Sequence, residues 1–87
     1  MTNNYHCGDL LSPALKDMVE KKLAKLEKYD LHDAVVDVYM SKEGKDFVLK
    51  IQLQSKEHNL MAKVQSNDMY KNIDDCLAKL NAQITKK

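Results

Sequence analysis

The sequence predicts an α+β fold of order β-α-β-β-β-α, an antiparallel four-stranded sheet with two helices packed on one of its faces. Three observations carry this reading. Two stretches repeat their apolar residues at helical spacing behind recognisable capping residues. Between them lie three runs in which apolar and polar residues alternate. Short turns join those runs, and hairpins set neighbouring strands antiparallel. Helices and sheets with a single apolar face bury it against each other.

Thr2 to Cys7 reads as a short strand, with Tyr5 and Cys7 facing one way and Asn3 and Asn4 diluting the pattern. Gly8-Asp9 reads as a turn. Ser12-Pro13 then opens the first helix, because serine caps well and proline fits a position that needs no amide bond. Leu15, Met18, Val19, Leu23 and Leu26 form its stripe, Tyr29 lies near its end, and Asp30 to Asp33 close it. Ala34, Val36, Val38 and Met40 alternate with Val35, Asp37, Tyr39 and Ser41 as a strand. Lys42 to Lys45, with Gly44, is a hairpin turn. Phe47, Leu49, Ile51 and Leu53 mark the next strand, Ser55 to His58 the next turn, and Leu60, Ala62 and Val64 the last strand. Ser66-Asn67-Asp68 supplies caps for a second helix whose stripe is Met69, Ile73, Cys76, Leu77, Leu80 and Ile84. It runs to Lys86 and Lys87, which suit the negative end of the helix dipole.

The bulk numbers bound the function. Eighty-seven residues form a single domain, residues 1–87. A chain of this length buries about 60–65% of its unfolded surface, enough for one sheet and one helix layer but not for a deep catalytic cleft. All 14 basic residues are lysines, against 13 acidic ones. Arginine, the usual reader of guanine edges, is absent, so any nucleic-acid contact should be to backbone and shape. Cys7 and Cys76 make no disulfide framework, and neither a secretory leader nor a membrane span is visible. A cytoplasmic protein is expected.

The charges are segregated. Around the first helix Lys21, Lys25 and Lys28 line one flank of the stripe, Lys16, Glu20 and Glu27 the other, and Lys22 sits beside the stripe. Asp17 stands four residues before Lys21, whereas Lys25 and Lys28 have no acidic neighbour at that spacing. On the second helix Lys79 and Lys86 share a flank with Asn72 and Gln83, and Asp75 can pair with Lys79. Residues 29–41 carry Asp30, Asp33 and Asp37 and no lysine. Helices on one side of a sheet can merge their lysine flanks into one basic surface, the footprint of phosphate binding. A solvated face explains a lysine-rich helix equally well, so the pattern alone leaves RNA binding an even bet.

Catalytic and metal chemistry have little support. Gly8 and Gly44 are the only glycines, too few for a phosphate loop. His6-Cys7 lacks partners at metal-ligand spacing. Cys76 lies on an apolar stripe, as a small hydrophobe does. Asp74 and Asp75 point about 100° apart and read as solvating residues. Tyr29 and Tyr70 read as packing at the edge of the core. No enzyme, cofactor, metal or small-molecule substrate is expected.

Two stretches carry a family resemblance. Pro13-Ala14-Leu15 with Val19 to Tyr29 (Val-Glu-Lys-Lys-Leu-Ala-Lys-Leu-Glu-Lys-Tyr) resembles the first helix of the bacterial ribosome hibernation-promoting factors, also called protein Y, ribosome-associated inhibitor A or sigma-54 modulation proteins. Asp68-Met69-Tyr70, Ile73-Asp74, Lys79-Leu80 and Gln83-Ile84 resemble the second helix of that family. The resemblance implies a domain shaped like a double-stranded RNA-binding domain. It implies a partner, the small ribosomal subunit and its ribosomal RNA, bound in the decoding channel. There it would block messenger and transfer RNA sites and silence translation in stress or stationary phase. It also implies that Lys22, Lys25, Lys28, Lys79, Lys86 and Lys87 contact RNA phosphates; Lys21 joins them from the charge pattern.

Three features depart from the family: the polar first strand with only five residues between Gly8 and Ala14, Ala82 where a basic residue is common, and a chain that stops at Lys87. The chain is therefore expected to be of the short type or a piece of a longer protein, and monomeric when free. The alternatives are a general double-stranded RNA-binding module and a protein-interaction regulator of transcription.

Overall fold

The computed structural model describes residues 1–29, 31 and 33–85, with only the backbone of Glu27. Strand β1 (Thr2–His6) leads through a 3-10 turn at Gly8–Leu10 to helix α1 (Pro13–Ala24), which tightens into a 3-10 segment, Lys25–Tyr29. Strands β2 (Val35–Glu43), β3 (Asp46–Gln54) and β4 (Asn59–Ser66) follow, then helix α2 (Met69–Thr85). The sheet order is β1-β2-β3-β4.

β2, β3 and β4 form the antiparallel meander expected of consecutive hairpins. β1 is the correction: it pairs with β2 in parallel, Thr2 opposite Val35 and His6 opposite Tyr39, so the sheet is mixed and not antiparallel throughout. The reason is the crossover. α1 carries the chain back across the sheet, so β2 starts at the same end as β1, as in any βαβ unit. Thr2 N–H donates to Ala34 O at 2.9 Å and fixes that shared start.

The starts of the helices follow their caps. Leu15 N–H donates to Ser12 Oγ at 3.2 Å, with Pro13 in the first turn. Tyr70 N–H donates to Asp68 Oδ1 at 3.0 Å and opens α2. The two-residue turn Gly44-Lys45 joins β2 to β3, and Gly44 takes the left-handed φ of 60° that a side chain resists.

Alternate residues of the sheet and the two helix stripes meet in one cluster. Val19, Ile73, Cys76, Leu80, Val36, Val38, Leu49, Ile51 and Leu53 are fully enclosed there. Tyr5 and Tyr29 pack half-buried against its edge. Tyr70 does not: it stands 49% exposed at the start of α2. Asn72, on the flank expected to carry lysine contacts, is buried. Its amide donates to Phe47 O at 2.9 Å, and its oxygen accepts from Ser66 Oγ at 2.7 Å. It ties the first turn of α2 to two strands.

Candidate nucleic-acid interface

The lysines of the first helix converge where α1 and the 3-10 segment run beside α2. Lys22 meets the carboxylate of Asp74 on α2, bridging the helices. Lys25 and Lys28 follow on the 3-10 segment, where residues three apart stack directly above one another. Tightening of the helix thus aligns two cations that an α-helix would spread by about 60°. Together Lys22, Lys25 and Lys28 line a cleft of about 280 Å³ with Asp74 and Asn81 of α2, floored by Leu26, Leu77 and Ala78. Lys21, Lys22 and Lys25 line an adjoining recess of about 400 Å³ with Asp17 and Met18.

The charge state of this cleft is uneven. Lys21 pairs with Asp17 at 3.0 Å, the contact expected from their spacing. Lys22 is held by Asp74. Among the described residues neither Lys25 nor Lys28 has a carboxylate partner. Lys28 Nζ lies 5.2 Å from the centre of the Tyr29 ring, which orients the cation without neutralising it. Two positive charges side by side in a shallow cleft suit a phosphate, which lysine meets as a mobile point charge.

Lys79 is placed elsewhere. It lines a groove of about 510 Å³ on the far side of α2, with Lys63, Val64, Gln65, Asp75 and Ala78. Among the described residues it forms no ion pair with Asp75. Its flank faces β4, where Gln83 Nε2 donates to Met61 O at 2.9 Å. α2 therefore stands between Lys79 and the α1 lysines, and the single merged surface expected from the sequence does not form there. Lys86 and Lys87 lie outside the described residues.

Sequence reasoning missed Asp74 and Asn81, which line the cleft from α2. Their signal was present: Asp74, Leu77, Ala78 and Asn81 follow helical spacing beside the apolar stripe, the position of a residue facing a neighbouring helix. Among the described residues no group of three or more His, Cys, Asp or Glu could hold a metal, and no helix is long and apolar enough to cross a membrane. Both cysteines are buried. Burial pushes the Cys76 thiol up to about 12, against a small lowering from the Ile51 backbone and Lys79, and raises Cys7 as well.

Comparison with known proteins gives this geometry a context. Residues 10–87 match the family described as sigma 54 modulation protein / S30EA ribosomal protein. The chain is 38% identical over 82 residues to the ribosome hibernation promotion factor of Bacillus subtilis, a match covering 87% of this chain and 42% of that protein. It is 30% identical over 76 residues to ribosome-associated factor Y of Haemophilus influenzae, covering 87% of this chain and 71% of that protein. The chain thus spans less than half of the first relative and most of the second. The crystal structure of the Thermus thermophilus Protein Y N-terminal domain matches with a TM-score of 0.85 at 28% identity, over 99% of this chain and 98% of that one. A ribosomal subunit interface protein from Coxiella burnetii shares the fold, with a TM-score of 0.84 at 22% identity over 99% and 96% of the two chains. With the family match running from the 3-10 turn before α1 to the last residue, and a relative matched over most of its length, the chain belongs to the sigma 54 modulation protein / S30EA ribosomal protein family.

Proposed function

We propose that this chain is a ribosome hibernation domain: it docks on the small ribosomal subunit and silences translation by occupancy, without covalent chemistry. The observation that carries the reading is the inter-helix cleft, where Lys25 and Lys28 stand aligned with no carboxylate partner among the described residues. Two relatives named for ribosome hibernation and ribosome association support it. Lys22, held by Asp74, lines the cleft, and Lys21, held by Asp17, lines the adjoining recess. Lys79 contributes from its own groove beside β4, and Lys86 and Lys87 extend the basic character beyond the described residues.

The RNA is met through phosphates and shape, as a chain whose cations are all lysine requires. The seat is the decoding channel, where a folded plug excludes messenger and transfer RNA during stress or stationary phase. The domain acts in the cytoplasm and is monomeric before it binds.

Sedimentation with small ribosomal subunits tests this. At low salt the protein should travel with the subunits, and the double substitution Lys25→Glu, Lys28→Glu should weaken binding by at least about tenfold. Wild-type protein left at the top of the gradient would sink the reading. Affinity should also fall with salt at a logarithmic slope of about −2 to −4 if two to four lysines each meet a phosphate.

A further inference from the structure

The sheet face turned away from the helices carries a second arrangement of charge and aromatic surface. The strand registers set His6 opposite Tyr39, Tyr39 opposite Lys50 and Lys50 opposite Lys63, so one row of side chains crosses all four strands. The His6 and Tyr39 rings are stacked, with centroids 4.6 Å apart and planes 14° from parallel. Lys50 Nζ lies over the Tyr39 ring, 5.5 Å from its centre. β1 is an edge strand, so the outer ring face of His6 borders open space, and its side chain is 48% exposed.

Stability does not account for the Lys50–Lys63 end of this row. Like charges placed directly opposite one another on a sheet are unfavourable, yet Lys63 faces Lys50. Among the described residues neither has a carboxylate partner. The acidic groups on this face are engaged or distant. Asp37 accepts from His6 Nε2 at 3.0 Å. Asp46 accepts from Gln65 at 3.2 Å. Asp46 and Glu43 face each other at the hairpin end, two rows and about 13 Å from Lys50. The neighbouring row adds Asn4, Gln52 and the 52% exposed Met61, polar and soft surface without further charge beyond Asp37.

Open four-stranded sheets meet single-stranded RNA through aromatic rings that stack on bases and lysines that track the phosphates. A protein partner fits less well, because lysine is depleted from the centre of protein interfaces. We propose that the His6–Tyr39–Lys50–Lys63 row is a second RNA surface, which takes single-stranded RNA with a base on the outer face of the His6–Tyr39 stack and phosphates on Lys50 and Lys63. The proposal rests on the reading of the chain as an RNA-docking protein, but on the opposite face of the fold. Lys63 also borders the groove that holds Lys79, so a strand crossing the row leads round the β4 edge toward α2.

The test is fluorescence anisotropy of a labelled oligouridine with the full chain at low salt, each variant's fold being checked by circular dichroism. Lys50→Gln with Lys63→Gln, and separately Tyr39→Leu, should each weaken binding by about tenfold, while Tyr39→Phe keeps it. Lys42→Gln with Lys45→Gln, which removes the same charge from the hairpin, should stay within about twofold. Failure of the wild type to bind, full binding retained in the Lys50→Gln, Lys63→Gln variant, or equal losses in the hairpin control would each overturn the proposal. Subunit sedimentation of Lys25→Glu, Lys28→Glu reports separately on the helix cleft, so either surface can fail without the other.

Discussion

Asn72 shows how much one polar side chain does when it is enclosed. Its amide reaches Phe47 on β3, and its oxygen accepts from Ser66 at the end of β4. Removing the amide takes its donor from the Phe47 carbonyl, while the Ser66 hydroxyl keeps only Asp68, so Asn72→Ala should cost about 1–3 kcal/mol in urea unfolding. The sequence offered no hint of this role, since an asparagine next to a lysine flank reads as solvent-facing. Cys76 was legible, because it falls on the apolar stripe and is fully enclosed. Neither thiol should react with Ellman's reagent in the native protein at pH 8, and both should react on unfolding. The same burial sets an alkaline limit. Cys76 and Tyr5 have native values of about 12, raised chiefly by burial, with Glu20 adding to the rise at Tyr5. The native state therefore holds these protons more tightly than the unfolded chain does. Their contribution is complete below the ordinary thiol value of 9.0 and is lost as pH climbs toward 12. Melting temperature should be flat near neutrality and decline above about pH 9, and Cys76→Ala should make that decline shallower.

At the scale of the element, the 3-10 segment matters most for the cleft. Periodicity marked Leu26 and Tyr29 as inward-facing and continued one helix through them. The switch to 3-10 geometry at Lys25 left no trace in composition, because no proline or glycine announces it. Its consequence is local: Lys25 and Lys28 act as one side of the cleft, while Lys16 lies on the opposite flank with its Nζ 5.5 Å from the centre of the Tyr5 ring. Lys16→Glu should therefore leave subunit binding within about twofold in the gradient that Lys25→Glu, Lys28→Glu disrupts. The N-caps of both helices were legible, and Ser12→Ala should lower stability by about 0.5–2 kcal/mol through loss of its bond to the Leu15 amide, measured by thermal unfolding. α2 was legible as an amphipathic helix, but its rotation against the sheet was not. That rotation sends Lys79 to the β4 side and Asp74 to the α1 side, and only packing against both neighbours decides it.

For the whole molecule, alternation and turn chemistry were enough to order β2, β3 and β4, whereas the sense of β1 depended on where the crossover delivers the chain. A strand five residues long with two asparagines carries too weak a pattern to declare its partner. That parallel pair also sets a sequence of events. β2 and β3 meet through a two-residue turn, but β1 must close a loop from Thr2 to Val35 before its first bond forms. Closure over a longer loop costs more entropy, and distant pairings form more slowly than local ones. β1 therefore docks last and opens first, and its amides should exchange with deuterium faster than those of β3, which has strands on both sides. During synthesis β1 emerges before α1 and β2, and it waits unpaired until β2 has followed α1 out. At five residues β1 offers other chains only a short edge while it waits, and a short edge strand is a poor template for pairing between chains.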